Sequence, residues 1–397
     1  MSETSVTLVD LANDVWHESF TWNPASSPIP IASSLDWSVQ KRTLRGGLSS
    51  GVEVIELNNG RFALSVLPTR GMGLWRGTYD GCPIGWQSPV QYPVHPALID
   101  PSRRNGIGWL DGFNELLCRC GLSWHGAPEI DDCGTPLTLH GRIANLPAHF
   151  LSIRMTENGE FSLTGVIDEC SVFGSRLQLK STLTTHLGSN TMHITDQITN
   201  LGGQPTELEL LYHVNVGPPF LEGGAQLSAP ASRVIPRDTR AAEDISTWST
   251  YREPIAGYQE QCYFLELQGD AQDLTEVLLS NAGGDRGLSL GFSRQQLPYF
   301  TLWKNTQAVA DGYVTGIEPS TSLPNPRSFE RRQGRVMILP PGGSHSAELE
   351  FRVLTDADSV SERRRYIQTL QGDLPPSICP APLGQFCPDC RSGVDDF

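Results

Sequence analysis

Basic residues are scarce in this chain. Its 397 residues carry 29 Lys and Arg against 44 Asp and Glu, a formal charge of −15. A sequence-independent grip on a phosphate backbone needs clustered cations, so nucleic acid is not an expected partner. Long apolar runs are missing too: nothing approaches the roughly 18 uninterrupted apolar residues that span a bilayer. The N-terminal MSETSVTLVDLANDVWHESF lacks a basic region followed by an apolar one. Neither a membrane span nor a secretory signal is expected, and the expected location is cytoplasmic. Charged residues reach only 18%, whereas Gly (39) and Pro (29) are plentiful, which favours many short strands over long helices.

The nine cysteines are an odd number scattered over a long chain, unlike the dense, even framework of a small secreted domain. Most are expected to be reduced and buried as small apolar side chains. Cys379, Cys387 and Cys390 sit near the end in ICPAPLGQFCPDC. One CxxC brings only two of the four ligands a structural zinc site wants, so a Pro-rich tail packed on the body is expected there, and no metal.

Apolar residues alternate with period two over Val52–Leu57, Arg61–Leu67, Phe161–Ile167, Arg176–Leu183, Met192–Thr199, Thr206–Tyr212, Tyr263–Leu267 and Ala347–Val353. Alternation sends one set of side chains into a core and the other outward, the pattern of strands. STLTTHLGSNTMHITDQITNLGGQPTELELLYHV reads as a three-strand meander with hairpin turns at LGSN and NLGGQ, where Gly and Asn tolerate positive φ. Helices are expected near Leu8–Glu18, over Val39 to Leu44, and over Asp356–Leu370, the last capped by Asp356 or Ser359 and stopped by Gly372. No linker or fixed-period repeat divides the chain. The expected fold is all-β: a mostly antiparallel sandwich over residues 46–372 with a terminal helix, an N-terminal arm over 1–45, and a Pro- and Cys-containing tail over 373–397.

Four stretches are harder to explain by folding alone. In SVLPTRGMGLWRG, Arg70 follows a strand and precedes two glycines, a place where its planar fork can meet ligand oxygens. The long segment GWLDGFNELLCRCGLSWHGAPEIDDCGTPLTLHGRIANLP has weak periodicity and suits a binding loop. Within it His140 and Arg142 share a side if the chain is extended. LLYHVNVGPP puts His213 and Asn215 on one face at a strand end. LPYFTLWKNTQAVADGYVTGIEPSTSLPN offers Trp303, Lys304 and Tyr313 as groups that stack on or bond to a sugar, and Glu318, extended before Pro319.

These motifs, in the order LHGRIANLP, LLYHVNVG, GYQEQCYF, LPYFTLW, GIEPSTSLPN and LPPGGSHSAELEF, resemble the aldose 1-epimerase (galactose mutarotase) superfamily, and in particular its DUF4432 branch. The resemblance spans about residues 50–355. It implies a galactose mutarotase-like β-supersandwich with few short helices and a shallow cleft for a small-molecule carbohydrate. It also implies Glu318 as the base that takes the anomeric hydroxyl proton, His213 as the acid that protonates the ring oxygen, and His140 as the histidine that polarises near that oxygen. Anomers of a free sugar would then interconvert by ring opening, with no metal or organic cofactor. The family's Gly-Tyr-Asp station reads Gly257-Tyr258-Gln259-Glu260 here, so Gln259 replaces the usual sugar-binding aspartate, with Glu260 adjacent. LPTRGMG and the loop with Cys118, Cys120 and His125 look like marks of the branch. Arg70, Arg142 and Lys304 together suggest an anionic or oxidised sugar. Two alternatives remain at this point: a metal-assisted sugar isomerase or lyase using His125, His140, His213 and Glu318, and a carbohydrate-binding protein without catalysis.

Overall fold

A computed structural model describes residues 3–29 and 34–388; Cys390 lies outside the described residues. Two large sheets carry the fold. The first runs in the order Gln226–Ser228, Leu274–Ser280, Gly287–Ser293, Ser344–Leu354, Thr191–Asn200, Arg176–His186, Glu160–Cys170, Phe150–Thr156, Glu3–Asp10 and Val15–Trp16. The second has at its centre Gln261–Leu267, Tyr299–Asn305, Val314–Ser320, Thr206–Val216, Leu117–Leu122 and Gly73–Tyr79, in that order, all antiparallel. Alternating apolar residues of both sheets meet in one core, where Phe62 stacks on Phe351 at 6.3 Å and Phe292 on Phe300 at 6.1 Å. All eight segments that alternate in the sequence fall on strands.

Other expectations change. Leu8–Glu18 is not helical: Glu3–Asp10 pairs with Phe150–Thr156, and only Leu11–Asn13 makes a 3₁₀ turn, capped by the Asp10 carboxylate. Val39 to Leu44 is likewise a strand, Ser38–Thr43, because Val39 and Lys41 point inward and pairing with Glu53–Asn58 satisfies the backbone. The segment before residue 46 thus gives strands to both sheets. Asp356 caps the helix Ala357–Gln371, and Gly372 ends it at φ 67. LGSN makes its hairpin, but NLGGQ carries the chain from the first sheet to the second, so the expected meander is broken there. The Asn200 amide fixes that crossing, donating to Gln204 O at 2.8 Å and to Leu339 O at 3.0 Å. The Pro-rich tail pairs Ser377–Ile378 in parallel with Ala231–Pro236, and Phe386 and Cys387 pack on Ile235, Phe264 and Leu323.

The strand Leu117–Leu122 is buried along its whole length and sets the site's floor. Arg119 points into the space between the sheets, paired with Asp196, and donates to Ser181 Oγ at 2.8 Å and Met72 O at 2.9 Å. Tyr212 donates to the same Asp196 at 2.8 Å. The side chains on either side of Arg119, Cys118 and Cys120, therefore face away from the core. In the same way Tyr212 and Val214 face inward while Leu211, His213 and Asn215 face outward.

Candidate active site

The outward face of the second sheet gathers the site. His213 lies opposite Cys118 in the strand register, and Glu318 opposite Thr301. His213 Nε2 is 3.3 Å from Glu318 Oε1, and their side chains are only 6% and 3% exposed. That approach depends on Gly316, which shares a face with Glu318: a Cβ there would overlap the Glu318 carboxylate and lie 3.1 Å from His213 Cε1. Asn215 orients the ring. Its amide nitrogen donates to Glu115 O at 2.9 Å and His213 O at 3.1 Å, which leaves Oδ1 to accept from His213 Nδ1 at 2.6 Å. Nδ1 consequently carries the proton, and Nε2 faces Glu318 as an acceptor.

Rings surround this pair. Phe113, Trp303 and His140 lie 5.1, 5.5 and 5.5 Å from the His213 centroid, and Trp109 lies 4.6 Å from His140. The half-buried His140 and Trp303 carry the exposed edge of the cluster. His140 sits in a left-handed turn at φ 60 followed by Gly141 at φ 67, its Nδ1 3.0 Å from His125 O. His125 lies behind it, Nε2 2.8 Å from Ser322 Oγ, which in turn donates to Glu209 Oε1 at 2.7 Å.

Burial dominates the electrostatics. It raises the Glu318 carboxyl to about 8, with the His140 charge opposing only part of the rise, so Glu318 is protonated at neutral pH. Burial and the neighbouring His140 charge hold His213 well below the ordinary imidazole value, against the Asn215 hydrogen bond. Glu318 thus carries a proton beside a neutral His213, both nearly dry. Burial also works against charge on His140, but the Cys120 thiolate hydrogen-bonded to it lifts His140 to about 9. Cys120, despite its own burial, is brought down to about 6 by the Cys118 thiol and His140. Burial lowers His125 to about 3, so it is neutral.

Residues 49–353 match the family described as a domain of unknown function, DUF4432. The chain belongs to the DUF4432 family. A Klebsiella pneumoniae structure provisionally described as an aldose 1-epimerase is 33% identical, with 96% of this chain and 99% of that chain covered and a TM-score of 0.93. A galactose mutarotase-like protein from Clostridium acetobutylicum (15% identity, 80% and 98% covered, TM-score 0.55) and a galactose 1-epimerase from Lactobacillus acidophilus (13%, 79% and 97%, 0.51) are similar in fold. No curated protein sequence matches. The fold of this DUF4432 chain is galactose mutarotase-like.

Among the site residues singled out from the sequence of the DUF4432 chain, His140, His213, Glu318, Asn215, Trp303 and Glu260 come together. Trp303 Nε1 donates to Glu260 Oε2 at 2.7 Å, and Glu260 Oε1 accepts from Arg237 at 3.1 Å. Three others do not join them. Arg70 is 1% exposed and spends its donors on Glu115 at 2.6 Å, Val94 O, Asn145 Oδ1 and Gly112 O. Lys304 is buried, its Nζ saturated by the carbonyls of Thr247, Trp248 and Thr250. Tyr313 is buried with its hydroxyl on Arg252 O. Each stabilises the frame and offers no group to a ligand. Arg142 and Gln259 are exposed, but the turn at His140 removes the extended geometry that would align Arg142 with it. His125 is turned to Ser322, and among the described residues no three His, Cys, Asp or Glu side chains are grouped to hold a metal.

Sequence reasoning left Cys118 and Cys120 without a role and missed Gly316, Arg237, Trp109 and Phe113. The run LLCRCGL is the signal that was available, since a strand buried on both faces shows no alternation. Two outcomes follow from this geometry. Gly316→Ala should leave the fold intact, because only side-chain ends must move, while displacing Glu318 from His213; a crystal structure of the variant with the pair unmoved would contradict it. Cys120→Ser should lower the His140 pKa by at least about one unit, equivalent to about 1.4 kcal/mol, because burial would then be opposed only by Glu318 and the His125 carbonyl. Imidazole ¹⁵N shifts across a pH titration measure this directly.

Proposed function

We propose that this protein is an aldose 1-epimerase-like isomerase that interconverts the anomers of a free sugar. The observation that carries the reading is the Glu318–His213 pair, 3.3 Å apart and dry, a protonated carboxyl beside a neutral imidazole. Ring opening of a hemiacetal needs a base at the anomeric hydroxyl and an acid at the ring oxygen, two atoms bonded to the same carbon. An acid and base side by side meet that demand.

Moving the proton from Glu318 to His213 Nε2 leaves a carboxylate and an imidazolium. The carboxylate takes the anomeric hydroxyl proton while the imidazolium protonates the ring oxygen. The bond from C1 to the ring oxygen breaks as C1 becomes an aldehyde, the C1–C2 bond rotates, and closure on the other face reverses both transfers. The His140 cation polarises the departing oxygen, and Trp303 provides a face for the sugar ring. Arg237 and Trp303 hold Glu260 at the rim, where it can accept from sugar hydroxyls. The similarity in fold to the Klebsiella protein supports the same reading.

Exchange NMR on a panel of monosaccharides tests it. Added protein should speed exchange between α and β signals for at least one sugar, with or without chelator. A metal-assisted enzyme would lose the effect with chelator, and a pure binder would bind without faster exchange. Because the base must first share the pair's single proton, the rate should fall as pH rises through about 8, where Glu318 loses it. A rate still climbing above that pH would count against the shared-proton mechanism.

A further inference from the structure

Beyond the ring cluster lies an open cavity of about 530 Å³ walled by Trp75, Arg76, Trp86, Gln87, Gln91 and Asn114, among others. It shares Trp75, Arg76, Pro89, Val90 and Gln91 with a second cavity of about 880 Å³ that runs on to Tyr92 and Leu48. The two make one trough. Its near wall is Trp86, 5.0 Å from Phe113, which is itself 5.1 Å from His213. Only two ring contacts separate the trough from the acid–base pair.

The wall is fixed in place. Trp86 Nε1 donates to Glu115 O at 3.0 Å, and Gly217 and Gly312 clear room for the residue, since a Cβ at Gly217 would stand 3.0 Å from Trp86 Cβ and one at Gly312 3.0 Å from the indole. Ser88 Oγ holds Phe113 O at 2.7 Å, and Asn114 Nδ2 holds Val90 O at 3.0 Å. The trough's polar groups are available by contrast. Arg76 is exposed, with its guanidinium 4.1 Å over the Trp75 ring, and no carboxylate pairs with it among the described residues. Gln87 and Gln91 present exposed amides. Farther along, Arg42 and Arg45 are already paired with Glu56 and Glu18.

We infer that this trough is a saccharide-binding site beside the candidate active site, across the Trp86–Phe113 wall, and that the ligand is a neutral chain of two or more sugar rings. The half-buried Trp86 indole offers an apolar surface to a pyranose, while Trp75 lies buried beneath Arg76. The amides both donate and accept, which hydroxyls satisfy and an anion, accepting only, does not. A single unpaired guanidinium stacked on indole is a flat donor array suited to vicinal hydroxyls. The inference rests on the sugar-acting reading above, and its test is a binding measurement so that the two fail separately.

The experiment is isothermal titration of the whole protein with glucose, galactose, maltotriose, cellotriose and β-1,4-galactotriose, and with glucose 6-phosphate. At least one trisaccharide should bind about tenfold or more tighter than its own monosaccharide, about 1.4 kcal/mol. That advantage should shrink to about twofold or less in the Arg76→Ala/Gln91→Ala double variant, both residues being exposed and outside the core. Three results would overturn the inference: equal binding of mono- and trisaccharides, an advantage that survives the double variant, or the phosphate ester outbinding every trisaccharide. Trisaccharide binding without any anomer exchange would uphold the trough and remove only the isomerase reading.

Discussion

Glu318→Gln should slow protein-dependent anomer exchange by about 10²–10⁴-fold, the range a single positioned acid or base contributes. The loss should be in turnover and not in the folded state. Glu318 is protonated at rest, held at about 8 by burial, so an uncharged amide of nearly the same shape introduces no new buried charge. Urea unfolding should place the variant within about 1 kcal/mol of the parent. A stable Glu318→Gln protein that keeps more than about a tenth of the parent's exchange rate would remove Glu318 from the base role. His213→Asn offers the complementary reading. If the two residues act as one proton-sharing unit, the double variant should be little slower than either single one, because groups that act together lose their effect together.

The positions of His213 and Glu318 were legible from sequence because each interrupts an apolar run. His213 stands out in LLYHVNVG, and Glu318 in YVTGIEPS. What stayed hidden depends on three-dimensional neighbours. Arg70 looks the same in sequence whether it meets a ligand or an internal carboxylate; only the fold brings Glu115 within 2.6 Å of it. Gly316 matters through a gap it leaves between residues from two strands, and a gap has no sequence signature. Cys120 acts through His140, twenty positions away, and the left-handed turn that brings them together breaks the extended pattern assumed for LHGR. The crossing at NLGGQ imitates a hairpin locally, because the same Gly and Asn chemistry serves any tight change of direction.

Arg70→Ala carries the largest expected effect on stability. Arg70 and Glu115 are 1% and 0% exposed, and the guanidinium also holds Val94 O, Gly112 O and Asn145 Oδ1. Removing one partner of such a pair strands the other charge in the interior, a loss of about 3–5 kcal/mol, which is a large share of the 5–15 kcal/mol that holds a typical domain together. The damage would spread toward the site, since Glu115 O also accepts from Asn215 and Trp86, the residues that orient His213 and wall the neighbouring trough. Arg70→Lys should recover little of the loss, because a single ammonium cannot reach the several acceptors that the planar fork serves at once. Were Arg70 a sugar-binding residue instead, Arg70→Ala would leave the urea midpoint in place and shift preference between uronates or phosphosugars and neutral hexoses. A fallen midpoint with unchanged relative rates on the sugars still turned over is the expected result, and the converse would return Arg70 to the ligand.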